Sequence, residues 1–169
     1  VTMTSRDANF LASDANGGLD DILVRDMQTG AVELISKDSS GTQSNNRSYG
    51  AIMSDNGQYV LFVSSGTNLV AGDTNGHWDI FLHDRTAGTT VRISEGTGGV
   101  QANSASYGYD MSGDGRYIAF TSNASNLHAN DTDGTSSVFL LDRNTSTLTY
   151  IAPSENSYYA NRRPQVSDD

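Results

Sequence analysis

Asp73-Thr-Asn75-Gly-His-Trp-Asp79 sets three oxygen-bearing side chains at i, i+2 and i+6 around a turn glycine. Such a set can converge on a hard cation, and Ca²⁺ is the expected one because it accepts oxygen ligands in a flexible geometry. Asp14, Asn16 and either Asp20 or Asp21 offer the same arrangement earlier in the chain. A later copy keeps Asp131 and Asp133 but ends in Ser137, so a site there should be weaker or lost. The same residues also make a good metal-free turn, with Asn and Gly in left-handed conformations and Asp capping backbone amides. The segment is shorter than an EF-hand loop and lacks its terminal Glu, so both readings stand.

Two clusters could contact a ligand directly. His77 and Trp78 give way to Thr135 and Ser136 in the following copy, so a Trp beside a His occurs once. An exposed aromatic plate there suits stacking on a sugar ring or a partner side chain; the alternative is a Trp that packs over its own loop. Tyr158, Tyr159, Arg162 and Arg163 form the second cluster, fit either for an anionic or sugar ligand or for the interface with the partner half of a larger assembly. Catalytic patterns are poor: there is no Gly-x-Ser-x-Gly elbow, no His-Glu-x-x-His and no P-loop. The histidines at 77, 83 and 128 are scattered. Paired carboxylates for glycoside chemistry stay open, because their separation is invisible in a sequence.

A strict internal repeat positions these residues. Asp79-Ile-Phe-Leu-His-Asp84-Arg85 recurs as Asp21-Ile-Leu-Val-Arg-Asp26 and as Ser137-Val-Phe-Leu-Leu-Asp142-Arg143, so Asp26, Asp84 and Asp142 lie 58 residues apart. Asn45, Asn103 and Asn161 keep that step, as do Ser36 and Ser94, Tyr49 and Tyr107, and Ser54 and Ser112. One extra residue near Gly17-Gly18 shifts the register by one before it. Each unit reads as four short strands rich in Val, Ile, Phe, Tyr and Thr, bounded by Asp, Asn and Gly turns. In the central unit the expected strands are Tyr49–Met53, Tyr59–Ser64, Ile80–His83 and Thr89–Ser94. Four-stranded units at this period read as propeller blades, which stack because one blade cannot bury both faces alone. Asp26, Asp84 and Asp142 should cap the tight turns, aided by Arg85 and Arg143. The repeated asparagines should pin each blade to the next through buried amides.

Ser112-Gly-Asp-Gly-Arg-Tyr-Ile-Ala-Phe-Thr-Ser and the run Asn68–Arg85 resemble the WD40-like PD40 repeats of TolB-type β-propellers over essentially the whole chain. The resemblance implies a bacterial propeller, periplasmic or secreted, most often a binding or scaffolding module. Here the second loop and the inter-blade connection are longer than in the shorter TolB repeat.

With strands labelled a to d from the axis outward, the chain reads bcd, abcd, abcd, a. The units run approximately 1–48, 49–106 and 107–163, and 164–169 is expected as a closing strand. Three blades cannot close a ring. The expected fold class is therefore an all-β propeller of four-stranded antiparallel blades, completed by the remaining blades of a parent chain or by a second copy. The b–c and d–a loops share one face, where binding should sit. Net charge −10, from 10 basic and 20 acidic residues, argues against nucleic acid. There is no cysteine and therefore no disulfide or thiolate site. No apolar run reaches the ~18 residues of a membrane helix. The expected function is a non-catalytic binding or scaffold module, with Ca²⁺ as its one candidate cofactor and a protein or glycan as ligand. Half of a carbohydrate hydrolase or lyase is the competing class.

Overall fold

The computed structural model describes residues 1–6, 10, 14–132, 135–153 and 164–167. β1 (Thr2–Ser5), β2 (Asp21–Arg25) and β3 (Val32–Leu34) form a three-stranded sheet. β4 (Ser48–Met53), β5 (Tyr59–Ser64), β6 (Asp79–Asp84) and β7 (Thr89–Arg92) form a four-stranded sheet. β8 (Glu95–Gly96) and β9 (Val100–Gln101) make a small hairpin on the connection to the next blade. β10 (Ser106–Met111), β11 (Tyr117–Ser122), β12 (Ser137–Asp142) and β13 (Thr147–Pro153) form the last sheet. All pairings are antiparallel between consecutive strands, so the three sheets are blades of order bcd, abcd and abcd.

The alternation of side chains along each strand decides how blades stack. In the second blade Val60, Phe62 and Phe81 face the first blade, where they meet Ile22, Val24 and Ile35. Their neighbours Leu61, Val63, Ile80, Leu82 and Ile93 face the third blade and meet Ile118, Phe120 and Phe139. Paired rings repeat in register, Phe62 on Phe81 at 5.9 Å and Phe120 on Phe139 at 5.4 Å between centroids. Each such buried side chain contributes about 1.5–3 kcal/mol, so the blade interfaces are the hydrophobic core.

Turn chemistry on the lower face repeats as expected. Ser54 Oγ donates to Asn56 Oδ1 and accepts from the Tyr59 amide, while Gly57 takes φ +72°. Ser112 and Asp114 reproduce that turn before Tyr117. Asp26 accepts the amides of Gln28 and Thr29, Asp84 those of Thr86 and Ala87, and Asp142 that of Asn144. The arginines do something other than expected. Arg85 reaches Glu33 of the preceding blade and the Gly57 carbonyl, and Arg143 stacks over the Tyr59 ring at 4.1 Å. They tie blades together rather than helping the caps, because a guanidinium is long enough to span the gap between sheets.

The asparagines also differ from expectation in burial. Asn45 is exposed, yet it forms a three-bond clasp. Its amide N–H donates to Asn68 Oδ1, its Nδ2 donates to Thr67 Oγ1, and its Oδ1 accepts from the Thr67 amide. Asn103 repeats it with Asn126 and Ser125. Asn161 lies outside the described residues. Residues 164–167 form no strand; they lie against the third blade, where the Val166 amide donates to Asp110 Oδ2 at 3.0 Å.

Candidate functional site

The upper face is built by the b–c loops and the d–a connections. In the second blade these bring Asp73, Asn75 and Asp79 together, as their spacing suggested. Asp79 is fully buried and takes Ser94 Oγ at 2.6 Å and Asn75 Nδ2 at 2.9 Å. Asn75 also donates to the Ala102 carbonyl, while its own oxygen accepts the His77 amide. Asp73 takes Gln101 Nε2 at 2.9 Å and lies 3.7 Å from Arg92 Nη1. Arg92, as buried as Asp73, is held from the other side by Glu95 at 3.0 Å.

The first blade repeats this node without the arginine. Asp21 accepts from Ser36 Oγ at 2.8 Å, from Gln43 Nε2 at 2.7 Å and from Asn16 Nδ2 at 3.2 Å, and Asp14 caps the amides of Asn16 and Gly18. Asp20 points elsewhere and pairs with Arg6 at 2.6 Å. In the third blade Asp131 and Ser137 are buried, while Asp133 lies outside the described residues. Ala152 stands in sequence where Ser36 and Ser94 stand, so the Asp–Ser pair is exchanged as a unit for Ser–Ala.

Burial pushes the Asp79, Asp73 and Asp21 carboxyls above the ordinary aspartate range, against the pull of their hydrogen bonds. The carboxylate oxygens face amide, hydroxyl and guanidinium donors, and Asn75 turns its N–H side toward Asp79. Among the described residues no set of three His, Cys, Asp or Glu could hold a metal ion. As arranged, the donor set is that of a hydrogen-bonded brace.

Gln43, Gln101 and Arg92 belong to these nodes but were not singled out by their sequence pattern. The two glutamines are 58 residues apart, the signal that could have found them. Arg92 has Leu34 and Tyr150 as counterparts, so the repeat carries no trace of it.

His77 is exposed. Trp78 is half-buried rather than fully displayed, because one side rests on the core between the second and third blades. Its other contact is Tyr49, ring centroids 4.8 Å apart and planes at 53°. Tyr49 is 44% exposed at the start of inner strand a, so the pair forms a ledge on the upper face near the axis. Its counterpart Tyr107 is tied down by Asn123 at 2.5 Å and sits beside Ser136 instead of a Trp. Tyr158, Tyr159, Arg162 and Arg163 lie outside the described residues. His83 is buried against Thr90, with burial lowering its pKa, and takes no part in this face.

Comparison with solved structures finds the fold in several proteins. The TolB-designated protein of Agrobacterium tumefaciens superposes on 84% of this chain with TM-score 0.53 and 21% identity. The β-propeller domain of the Trilobed protease from Pyrococcus furiosus covers 80% with TM-score 0.50 and 9% identity. The tricorn protease is similar over 78%, at TM-score 0.48 and 15% identity. This chain spans 41%, 35% and 11% of those chains, respectively. The fold shared with the first two is that of a β-propeller, and completion by other blades is consistent with the 41% and 35% of their length that this chain spans. No protein-family profile matches the chain. No curated protein matches it either. Among the described residues no helix is long and apolar enough to cross a membrane.

Proposed function

We propose that the chain is the blade-forming part of a non-catalytic binding module that takes a glycan on its upper face. The observation that supports this is the Tyr49–Trp78 ledge beside exposed His77, present in one blade where the next has Tyr107 and Ser136. Two tilted rings with one open side present the apolar surface that a pyranose C–H face stacks on, and the neighbouring imidazole can bond its hydroxyls. The buried carboxylates beneath are already satisfied by Ser94, Asn75, Gln101 and Arg92, which favours bracing over glycoside chemistry. The proposed setting is bacterial and extracytoplasmic, periplasmic or secreted, supported by the resemblance to TolB-type repeats. The remaining blades come from further propeller sequence or from a second copy.

Trp78 is the single tryptophan, so its emission reports this ledge alone. A glycan array should give hits whose free sugars quench or shift that emission. Tyr49→Ala should weaken binding at least tenfold with an unchanged circular dichroism spectrum. Array hits that leave both the emission and the Tyr49→Ala affinity unchanged would move the ligand off this ledge. A blank array would remove the glycan reading.

A further inference from the structure

A cation stands beside the aromatic ledge. Ser48, at the start of β4, is fully buried, while Arg47 and Tyr49 on either side of it are exposed. Side chains two apart lie on one face of an extended chain, with Cα atoms about 7 Å apart. An arginine at 47 therefore reaches the open side of the Tyr49–Trp78 pair. The backbone that carries it is fixed. Its carbonyl accepts the Ser65 amide at 3.1 Å and Ser64 Oγ at 3.0 Å, and the following Ser48 amide donates to the Asp20 carbonyl at 2.7 Å.

Other cations of this acidic chain are committed to internal ties. Arg6, Lys37, Arg85, Arg92 and Arg116 pair with carboxylates, and Arg143 stacks over Tyr59. Among the described residues only Arg25 and Arg47 have a guanidinium in no ion pair or ring contact. Arg25 ends β2 at a lower-face turn, away from the ledge. Asp20 stands in the first blade where Trp78 stands in the second, and its carboxylate is bonded to Arg6 at 2.6 Å. It therefore leaves no unpaired negative charge to repel an anion, and Arg47 acts on it only from beyond ion-pair contact. Arg47, Tyr49 and Trp78 step by one repeat onto Ala105, Tyr107 and Ser136, so the blade that lacks the Trp also lacks the Arg.

We infer that the ledge takes an acidic saccharide and that Arg47 is the residue that selects it. This rests on the glycan reading above. One face of a pyranose stacks on Tyr49 and Trp78, and a carboxylate at the ring's edge accepts two N–H bonds from the guanidinium, whose planar fork matches it. A neutral sugar with a hydroxymethyl group in that place keeps the stacking and lacks the charge-assisted pair. The net charge of −10 does not steer anions to this surface, so the preference comes from the local contact.

Trp78 emission of the full chain, titrated with the methyl glycosides of glucuronate and galacturonate and with those of glucose and galactose, tests this. At least one uronide should bind tenfold or more tighter than its neutral partner, because a charge-assisted pair is stronger than a neutral one. Arg47→Ala, at an exposed position, should bring that uronide to its neutral partner's affinity with circular dichroism unchanged. Arg47→Lys should restore part of the difference, as a point charge replaces the fork. Equal binding of acid and neutral partner, both weakened by Tyr49→Ala, would overturn the selection and leave the glycan ledge standing. A preference that survives Arg47→Ala would overturn it as well, by moving the carboxylate off this residue. No response to any of the four would overturn this inference, and with a blank array the glycan reading too.

Discussion

Ser94→Ala removes one hydroxyl that makes two buried bonds at once. Ser94 Oγ donates to Asp79 Oδ1 at 2.6 Å and accepts the Ile80 amide at 3.1 Å. A hydrogen bond to a charged acceptor is worth about 1.5–3 kcal/mol and a neutral one about 0.5–1.5 kcal/mol, so the single substitution should cost about 2–4 kcal/mol. The third blade carries the exchange of both residues, with Ser137 and Ala152 in place of Asp79 and Ser94. In an Asp79→Ser background, Ser94→Ala therefore loses only the Ile80 bond and should cost about 1 kcal/mol. Asn75 keeps the Ala102 carbonyl as acceptor in either background. The coupling between the two sites is then about 1.5–3 kcal/mol.

Urea denaturation of the four variants at pH 8 and one fixed chain concentration measures it. The midpoints should shift with m unchanged. A coupling below about 0.5 kcal/mol would mean that the Asp–Ser pair does not brace the loop. The account of why blades exchange both residues together would fall with it.

The pH dependence separates two groups of carboxyls. Asp21, Asp73 and Asp79 have raised pKa values from burial, so their contribution to stability is full below about pH 4 and is lost as pH rises through the folded values. Asp26, Asp114 and Asp142 are lowered by the Gln28 amide, Ser112 and Arg116, so theirs is present above about pH 4 and lost as pH falls through the folded values. Asp79→Asn should flatten the decline of thermal midpoint on the alkaline side, and a profile parallel to the parent's would contradict its buried-carboxyl assignment. Gly50→Ala tests the tie between neighbouring inner strands. Gly50 has φ +74°, and the Tyr109 hydroxyl, bonded to its carbonyl, fills the space of an added Cβ. Its cost should exceed about 2 kcal/mol, and Tyr109→Phe should relieve part of it. A thermal midpoint within about 1 °C of the parent would show that the strands yield freely.

What could be read in advance depended on whether a residue's role is local or reaches across space. β5 falls on Tyr59–Ser64 as expected, and β6 gains only a residue at each end, because alternation and bounding turns are local signals. β7 stops at Arg92, short of the expected Ser94, since Ser94 turns its hydroxyl inward to Asp79 instead of continuing the ladder. The Asp turn caps were equally legible, each being completed within three residues. Arg92, Arg85 and Arg143 are not legible in the sequence because Asp73, Glu33 and Gly115, which they meet, lie on other loops or other blades. Spacing along the chain carries no information about that distance. Asp73, Asn75 and Asp79 do converge, but oxygen count alone could not reveal that Gln101 and Arg92 would supply the donors.

The distribution of departures from the repeat bears on where a ligand would act. On the lower face the blades agree: Asp26, Asp84 and Asp142 cap equivalent turns, and Ser54 and Ser112 shape equivalent hairpins. A requirement common to every blade is met by the same residue each time. On the upper face the middle blade stands apart, with Arg92 where its neighbours have Leu34 and Tyr150, and Trp78 where they have Asp20 and Ser136. Arg92 locks the loop that carries Trp78 by pairing with Asp73 and Glu95. A half-buried Trp set over that braced loop loses little freedom when a ligand stacks on it, which is the advantage of an organised aromatic ledge over a mobile one. The unusual residues thus form one mechanical unit, and it lies on the face whose loops have room to vary.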